Sequence, residues 1–392
     1  MNFFENKKIL VTGGTGHLGS ALIHYLVRDK NVSPANIRVF YLNNSPANSL
    51  QDIQGLEMVE GNILNEIEIE NACQGVQLIF HLIGSTTFDS RQKRQQWLVN
   101  VEGTRNILEV ARKSVSSTKL CYISTVNVLS SPVPEGSMGN IDNCNPYANH
   151  SLLHSFKTKT DTLRFIQEVY ENKNTDWEKR IGVGYFDSKL AAQELVNEYT
   201  NRYNLNVVSI MPGTMFGPYD YLIGNGMYIL SMFQNKMPAV LNGGLPLTHV
   251  MDVAEGVTLA IEKASPGTHY IITGKEEDNR TIKNMAAIIV KVLQQKFPDK
   301  KFRLPSLIIP KPIAYLGAFI GEWYAKLLNK PMLLSKEAIR AGSNKSFYSC
   351  NKAHLDLGYI PKRTFRQAVE EMVDYYQQQN LLNNTGRFID KL

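Results

Sequence analysis

Cysteine is scarce: Cys73, Cys121, Cys144 and Cys350 stand far apart in 392 residues, with no CxxC and no Cys/His spacing among them. That scatter indicates neither a zinc site nor a disulfide framework, and it fits a reducing compartment. No apolar stretch reaches the ~20 residues of a membrane span. The opening residues, Met1-Asn2-Phe3-Phe4-Glu5-Asn6-Lys7-Lys8, lack the long apolar core of an export signal. A cytoplasmic location is therefore expected. Dense Lys/Arg runs are missing as well: 42 basic and 36 acidic residues, for a formal charge of +6, are spread along the chain. This argues against nucleic acid as a partner. Internal repeats and low-complexity tracts are absent, and 43% apolar composition is ample for a large core.

What is present is a rhythm. Apolar, β-rich runs at Lys8 to Thr12, Ile37 to Leu42, Glu57 to Glu60, Val76 to Leu82, Leu120 to Ser124 and Val207 to Met211 alternate with helical patterns such as Leu18 to Arg28 and Val101 to Lys113. Such β-α-β-α alternation predicts an α/β fold, a doubly wound parallel sheet covered by helices on both faces. After Pro212 comes a Gly/Pro/Tyr/Met-rich stretch (Gly213 to Leu245), one more strand and helix (Thr248 to Glu262), a short strand (Tyr270 to Thr273) and a mostly helical C-terminus. The expected organisation is a nucleotide-binding domain over 1–212 and 246–274, with a helical insert at about 132–180, and a smaller substrate-binding region over 213–245 and 275–392. Ligands of open α/β sheets bind beyond the strand C-termini, between these regions. Leu152, Phe156, Leu163, Ile166 and Tyr170 form a helical stripe in the insert, read first as packing, with a lid or a homodimer contact as alternatives. A second stripe, Ile313, Leu316, Ile320, Trp323 and Leu327, follows Pro310 and Pro312 and is read as buried core in preference to a membrane-surface face.

Two stretches carry chemistry. Val11-Thr12-Gly13-Gly14-Thr15-Gly16-His17-Leu18-Gly19 follows a strand and opens a helix. In that context glycines let backbone N–H groups approach phosphates at a positive helix end. Thr12, Gly13, Gly16, His17, Leu18 and Gly19 are the candidate contacts to a dinucleotide, a plain turn being the bland alternative. In Tyr185-Phe186-Asp187-Ser188-Lys189 the first and last residues share one helix face. An ammonium there can lie near a phenol and favour its ionised form. Beside a nucleotide loop, such a proton-transfer device points to hydride transfer with Tyr185 as general acid/base.

Supporting residues follow. Thr125, at a strand end, is expected to hold the substrate oxygen, with Ser124 competing. The end of the second strand, Val39 to Ser45, carries neither an acid for a ribose 2′-OH nor an Arg for a 2′-phosphate. The missing carboxylate removes a repulsion, and the amides of Asn43 and Asn44 can donate, so NADP(H) is favoured over NAD(H). Asn62, beside Ile63, is placed to meet the adenine, although a loop asparagine also serves turns. His81 lies within an apolar strand and reads as a hydrogen-bonded core histidine.

Together these residues resemble the extended short-chain dehydrogenase/reductase superfamily, from Lys8 to about Leu381. The marks are TGGTGHLG, Asn100-Val101-Glu102-Gly103-Thr104, Ser124-Thr125, YFDSK, Pro212-Gly213 with Phe216-Gly217-Pro218, and His249-Val250-Met251-Asp252-Val253-Ala254. The resemblance implies a Rossmann-type domain and a Thr125, Tyr185, Lys189 catalytic set. It also implies that Lys189 bonds the nicotinamide ribose and that Pro212 is among the cofactor contacts. Asn351 to Pro361 is similar to the branch of 3β-hydroxysteroid dehydrogenases, dihydroflavonol reductases and bacterial epimerase/dehydratase relatives. Tyr41, Leu42 and Asn62 depart from that pattern, as does the long insert before Tyr185. The expected function is an NADP(H)-dependent oxidoreductase interconverting a ketone and a secondary alcohol on an apolar small molecule, steroid-, lipid-, polyketide- or flavonoid-like. The apolar reading rests on Met215, Phe216, Tyr219, Tyr221, Met227 and Tyr228, whose bland reading is core packing. A nucleotide-sugar epimerase/dehydratase, an acyl-thioester reductase and a non-catalytic cofactor-sensing protein are the competing readings.

Overall fold

The computed structural model of the chain describes residues 2–43, 45–87, 90–114, 118–129, 134–144, 158–170, 184–328 and 336–382. Seven strands form the central sheet: β1 (Ile9–Thr12), β2 (Ile37–Tyr41), β3 (Glu57–Glu60), β4 (Leu78–His81), β5 (Lys119–Ile123), β6 (Val207–Pro212) and β7 (His269–Ile272). All pair in parallel, in the order β7-β6-β5-β4-β1-β2-β3. A parallel sheet is covered on both faces, so its inner strands are continuous apolar runs, and β1, β4 and β6 are buried at every position. Strand β3 lies at the edge, and its side chains alternate between half-buried and exposed.

Two cores clothe the sheet. On one face Leu22, Leu26, Val253, Val257 and Ile261, from helices His17–Arg28 and Val250–Lys263, pack with Val11, Val39 and Ile210. On the other, helix Gly184–Tyr203 and the helical run Lys93–Lys113 pack with Leu10, Phe40 and Tyr122. That run winds from α to π over Leu98–Glu102 and back to α at Gly103. A third core joins helices Met227–Phe233, Ile282–Lys296 and Phe365–Gln378.

The sequence marks beyond β6 turn out to be fastenings of this third unit. Asp252, fully buried, accepts the backbone N–H groups of Lys362 (3.0 Å) and Arg363 (2.9 Å) and the Arg363 guanidinium (2.6 Å). His249 caps its helix by accepting from Met251 N–H and lies 3.1 Å from Glu371. Asp220 gathers the N–H groups of Gly224 and Gly226 and the Tyr376 hydroxyl.

Several stripes fall differently from expectation. Helix Lys159–Tyr170 buries Ile166, but beside it Phe165 packs inward near Trp97, while Leu163 is exposed. Leu152 and Phe156, and the side chains of Tyr170, Ile320, Trp323 and Leu327, lie outside the described residues. Ile313 and Leu316 are not core: they are 62% and 61% exposed, because helix Lys311–Leu328 turns its small residues Ala314 and Ala318 inward against Ile309, Leu241 and Ile339. Phe216 is enclosed in the third core, and Met215, Tyr219, Tyr221, Met227 and Tyr228 pack against the second and third. These residues do packing work, so they give no reading of the substrate.

Candidate active site at the carboxyl edge of the sheet

Register brings the site together. Thr12 is level with His81, His81 with Tyr122, and Ile123 with Ile210. The segments after β1, β4, β5 and β6 therefore leave the sheet along one edge. Strand β1 has β2 on one side and β4 on the other, and the connections diverge there, opening the crevice in which such folds bind ligands.

The loop after β1 fits a dinucleotide pyrophosphate. Gly13 takes a positive φ of 74°, and a side chain on it would strike Ile83 at 3.1 Å. A Cβ on Gly19 would sit 2.3 Å from the Gly13 carbonyl oxygen, so the helix starts against the loop itself. Gly16, the N-cap, has no side chain to turn back on the first turn, and no acid lies in that turn. The Gly16 N–H bonds the Gly13 carbonyl at 3.0 Å, so it is the N–H groups of the first helical turn beyond it, at the positive helix end, that could meet an anion.

Each sequence candidate can now be placed. The Thr12 hydroxyl pairs with His81 Nδ1 at 2.8 Å, and the Leu18 side chain is core. Burial pulls the His17 imidazole below its usual pKa, where it faces the Gly217 and Pro218 backbone. Asn43 is exposed just after β2. Asn62 accepts Leu64 N–H through Oδ1 (3.0 Å), the turn role, and Ile63 is buried against Gly103. Pro212 ends β6 within the buried edge.

Thr125 and Tyr185 meet: the threonine hydroxyl is near enough to the phenol to lower its pKa. Thr125 Oγ1 also accepts from Asn127 N–H at 3.3 Å and from Asn127 Nδ2 at 3.2 Å. Ser124 Oγ is buried without a hydrogen-bond partner among the described residues. Lys189 is buried too, and its Nζ donates to the Ile123 carbonyl at 2.6 Å, 4.6 Å from the Tyr122 ring centre. Loop Leu82–Ser85 joins these groups to the glycine turn, since Gly13 abuts Ile83, and Lys189 Nζ lies 3.7 Å from where a Gly84 Cβ would stand.

Burial sets the electrostatics. It pushes the Tyr185 phenol up to about 12, against the Thr125 hydroxyl, which lowers it. It pulls the Lys189 ammonium down to about 7. The expected lowering of the phenol by Lys189 is thus not the dominant effect: the ammonium is directed to the Ile123 carbonyl, and desolvation wins. His81, pulled to about 3 by burial and then by Lys189, is neutral and bonded on both ring nitrogens, to Thr12 and to Thr104. Its reading as a core histidine holds.

Sequence reasoning gave no role to Asn100, Gln96 or Glu337. Asn100, in the π segment, bonds Ser85 N–H (2.7 Å) and Ser85 carbonyl (3.1 Å), and its Nδ2 donates to Ser188 Oγ (2.8 Å) on the Tyr185 helix. Gln96 bonds the Thr87 carbonyl at 2.6 Å. Glu337 accepts Gly184 N–H at 3.0 Å, next to Tyr185. Only Asn100 carried a signal, as part of the Asn100 to Thr104 motif.

Two family models match in succession: the 3-beta hydroxysteroid dehydrogenase/isomerase family over residues 10–163, and the NAD dependent epimerase/dehydratase family over 168–273. The chain is 26% identical to a putative dihydroflavonol 4-reductase of Synechocystis sp., covering 94% of each protein. It is 24% identical to a 3-beta-hydroxysteroid dehydrogenase of Mycolicibacterium neoaurum, covering 94% of this chain and 91% of that one. Among solved structures, a nucleoside-diphosphate-sugar epimerase from Pseudomonas aeruginosa superposes with a TM-score of 0.69 at 17% identity, over 96% of this chain and 99% of that one. That likeness is one of fold.

Proposed function

The chain belongs to the extended short-chain dehydrogenase/reductase superfamily and is an NAD(P)-dependent oxidoreductase acting on a small molecule; from that premise we propose that it interconverts a ketone and a secondary alcohol on an apolar substrate. A bound nicotinamide cofactor supplies or takes the hydride. Tyr185 gives or takes the proton at its phenol oxygen, and Thr125, whose hydroxyl acts on that phenol, orients it and the substrate oxygen. Lys189, with a pKa pulled to about 7, changes charge near neutrality and biases the phenol when protonated. Ser124, buried and unpartnered among the described residues, is a further hydroxyl for the substrate oxygen. Thr12 through Gly19, Asn43, Asn62, Ile63 and Pro212 complete the cofactor contacts.

The observation carrying this reading is the convergence of the Thr125–Tyr185 pair and Lys189 on a glycine turn whose backbone admits a pyrophosphate. Support for an apolar substrate comes from the relatives' names, a steroid dehydrogenase and a dihydroflavonol reductase. The region of 213–245 and 275–392 would shape the substrate pocket. The uncharged end of β2, with Leu42 and Asn43 exposed, supports NADP(H) over NAD(H).

The test is turnover of steroid, sterol and flavonoid ketones with each cofactor. Tyr185→Phe is expected to lose roughly 10²- to 10⁴-fold in kcat while binding NADPH normally, and NADPH is expected to bind more tightly than NADH. Near-normal turnover by Tyr185→Phe would sink the mechanism. The epimerase/dehydratase reading keeps one specific support, the model match over residues 168–273. Cofactor that copurifies and shows no net absorbance change during turnover would favour it.

A further inference from the structure

We propose that strand Leu307–Ile309 and the exposed side chains Ile313, Leu316 and Phe319 of helix Lys311–Leu328 form a docking surface for an anionic phospholipid bilayer. The proposal goes beyond the redox chemistry and stands without it. Helix Lys311–Leu328 reverses the usual arrangement of a surface helix. Its inward residues are Ala314 and Ala318, one turn apart, whereas Ile313, Leu316 and Phe319 are 62%, 61% and 61% exposed. Just upstream, Leu307 and Ile308 are 64% and 43% exposed. Single exposed apolar residues are ordinary, but a run of them on consecutive elements marks an interaction site.

Charge identifies the partner. Residues 296–319 contain five Lys/Arg and one Asp/Glu, a net +4, and Lys301, Arg303 and Lys311 are exposed on either side of Leu307 and Ile308. Lys336 Nζ lies 5.3 Å from the Phe319 ring centre, placing a cation on the rim of the apolar face. Exposed aliphatic and aromatic side chains among lysines suit an interface of acyl chains and anionic headgroups. A second copy of the chain would instead bring like charge against like. No helix among the described residues is long and apolar enough to cross a membrane.

The face is also coupled to the site. Helix Lys336–Gly342 packs Ile339 beneath Ala314 and Ala318 and, through Glu337, holds Gly184 N–H at the start of the Tyr185 helix. A bilayer on this face would lie one short helix away from the residues that meet the substrate.

The test floats the full-length chain with vesicles of phosphatidylcholine, with and without phosphatidylglycerol. Flotation is expected with the anionic vesicles, weaker with neutral ones and reversed by salt. Leu316→Glu/Phe319→Glu is expected to lower the bound fraction by at least about tenfold. Its circular dichroism and melting temperature should be unchanged, because both side chains are exposed. Absence of flotation with both vesicle types would overturn the proposal. So would equal flotation of the double variant, or a variant that turns a dimer into a monomer in light scattering while floating normally. Flotation needs no turnover, so Tyr185→Phe should bind vesicles like the parent whatever becomes of the redox reading.

Discussion

Replacing Lys189 by methionine should raise stability at neutral pH while removing turnover. Burial holds the Lys189 pKa at about 7, against 10.5 for a free lysine. The folded state therefore binds fewer protons than the unfolded chain between those values, and stability rises with pH across that window. The cost of keeping this amine buried is full below about pH 7 and fades as pH climbs through the unfolded pKa. At 1.36 kcal/mol per unit it is about 4 kcal/mol near pH 7 and about 2 kcal/mol near pH 9. Methionine keeps the stem but leaves the Ile123 carbonyl without its donor, a loss of about 1–3 kcal/mol. The net is a gain of about 2 kcal/mol near pH 7 that disappears near pH 9. With a slope of about 3 kcal/mol/M or more, the urea midpoint should rise by roughly half a molar at the lower pH and not at the higher. No gain near pH 7, or a gain of the same size at both pH values, would refute the reasoning.

Gly19→Ala places a methyl 2.3 Å from the Gly13 oxygen and 2.6 Å from Gly14 Cα, both backbone atoms that cannot swing away. It should cost about 1–3 kcal/mol in thermal unfolding and weaken NADPH in a fluorescence titration; unaltered affinity would contradict the role given to the loop. Asp252→Ala leaves Arg363 without its acid and two backbone donors without their acceptor. The expected loss is about 3 kcal/mol, at the low end for a buried pair because Arg363 is 32% exposed, with faster proteolysis of the C-terminal helices as the readout.

The inner strands were legible because strands buried on both faces write themselves as unbroken apolar runs, and all seven strands, the alternating edge strand β3 included, were anticipated to within a residue or two. The glycine turn and the Tyr185/Lys189 spacing were equally plain, being local. What sequence hid was direction. The stripe Ile313 to Leu327 has helical period, but period alone does not say which face touches the core, and Ala314 and Ala318 allowed the closer approach. The aromatics of Gly213 to Leu245 suggested a pocket and proved to be the mortar of a helical unit. Asn100 could not be aimed at Ser85 and Ser188 without the π segment beneath it.

That π segment has a consequence for insertions and deletions. A π turn carries one residue more than an α turn, so loss of one residue from Leu98–Glu102 would restore a regular helix. It would also rotate everything upstream by about 100° relative to Gly103–Lys113. Because Trp97 and Gln96 lie upstream, a deletion that improves local helix geometry would still swing an anchored aromatic out of its core. Length in this stretch should therefore be intolerant of change even where identity is not, and Asn100 would be lost from the Tyr185 helix by a frame shift no substitution scan would sample.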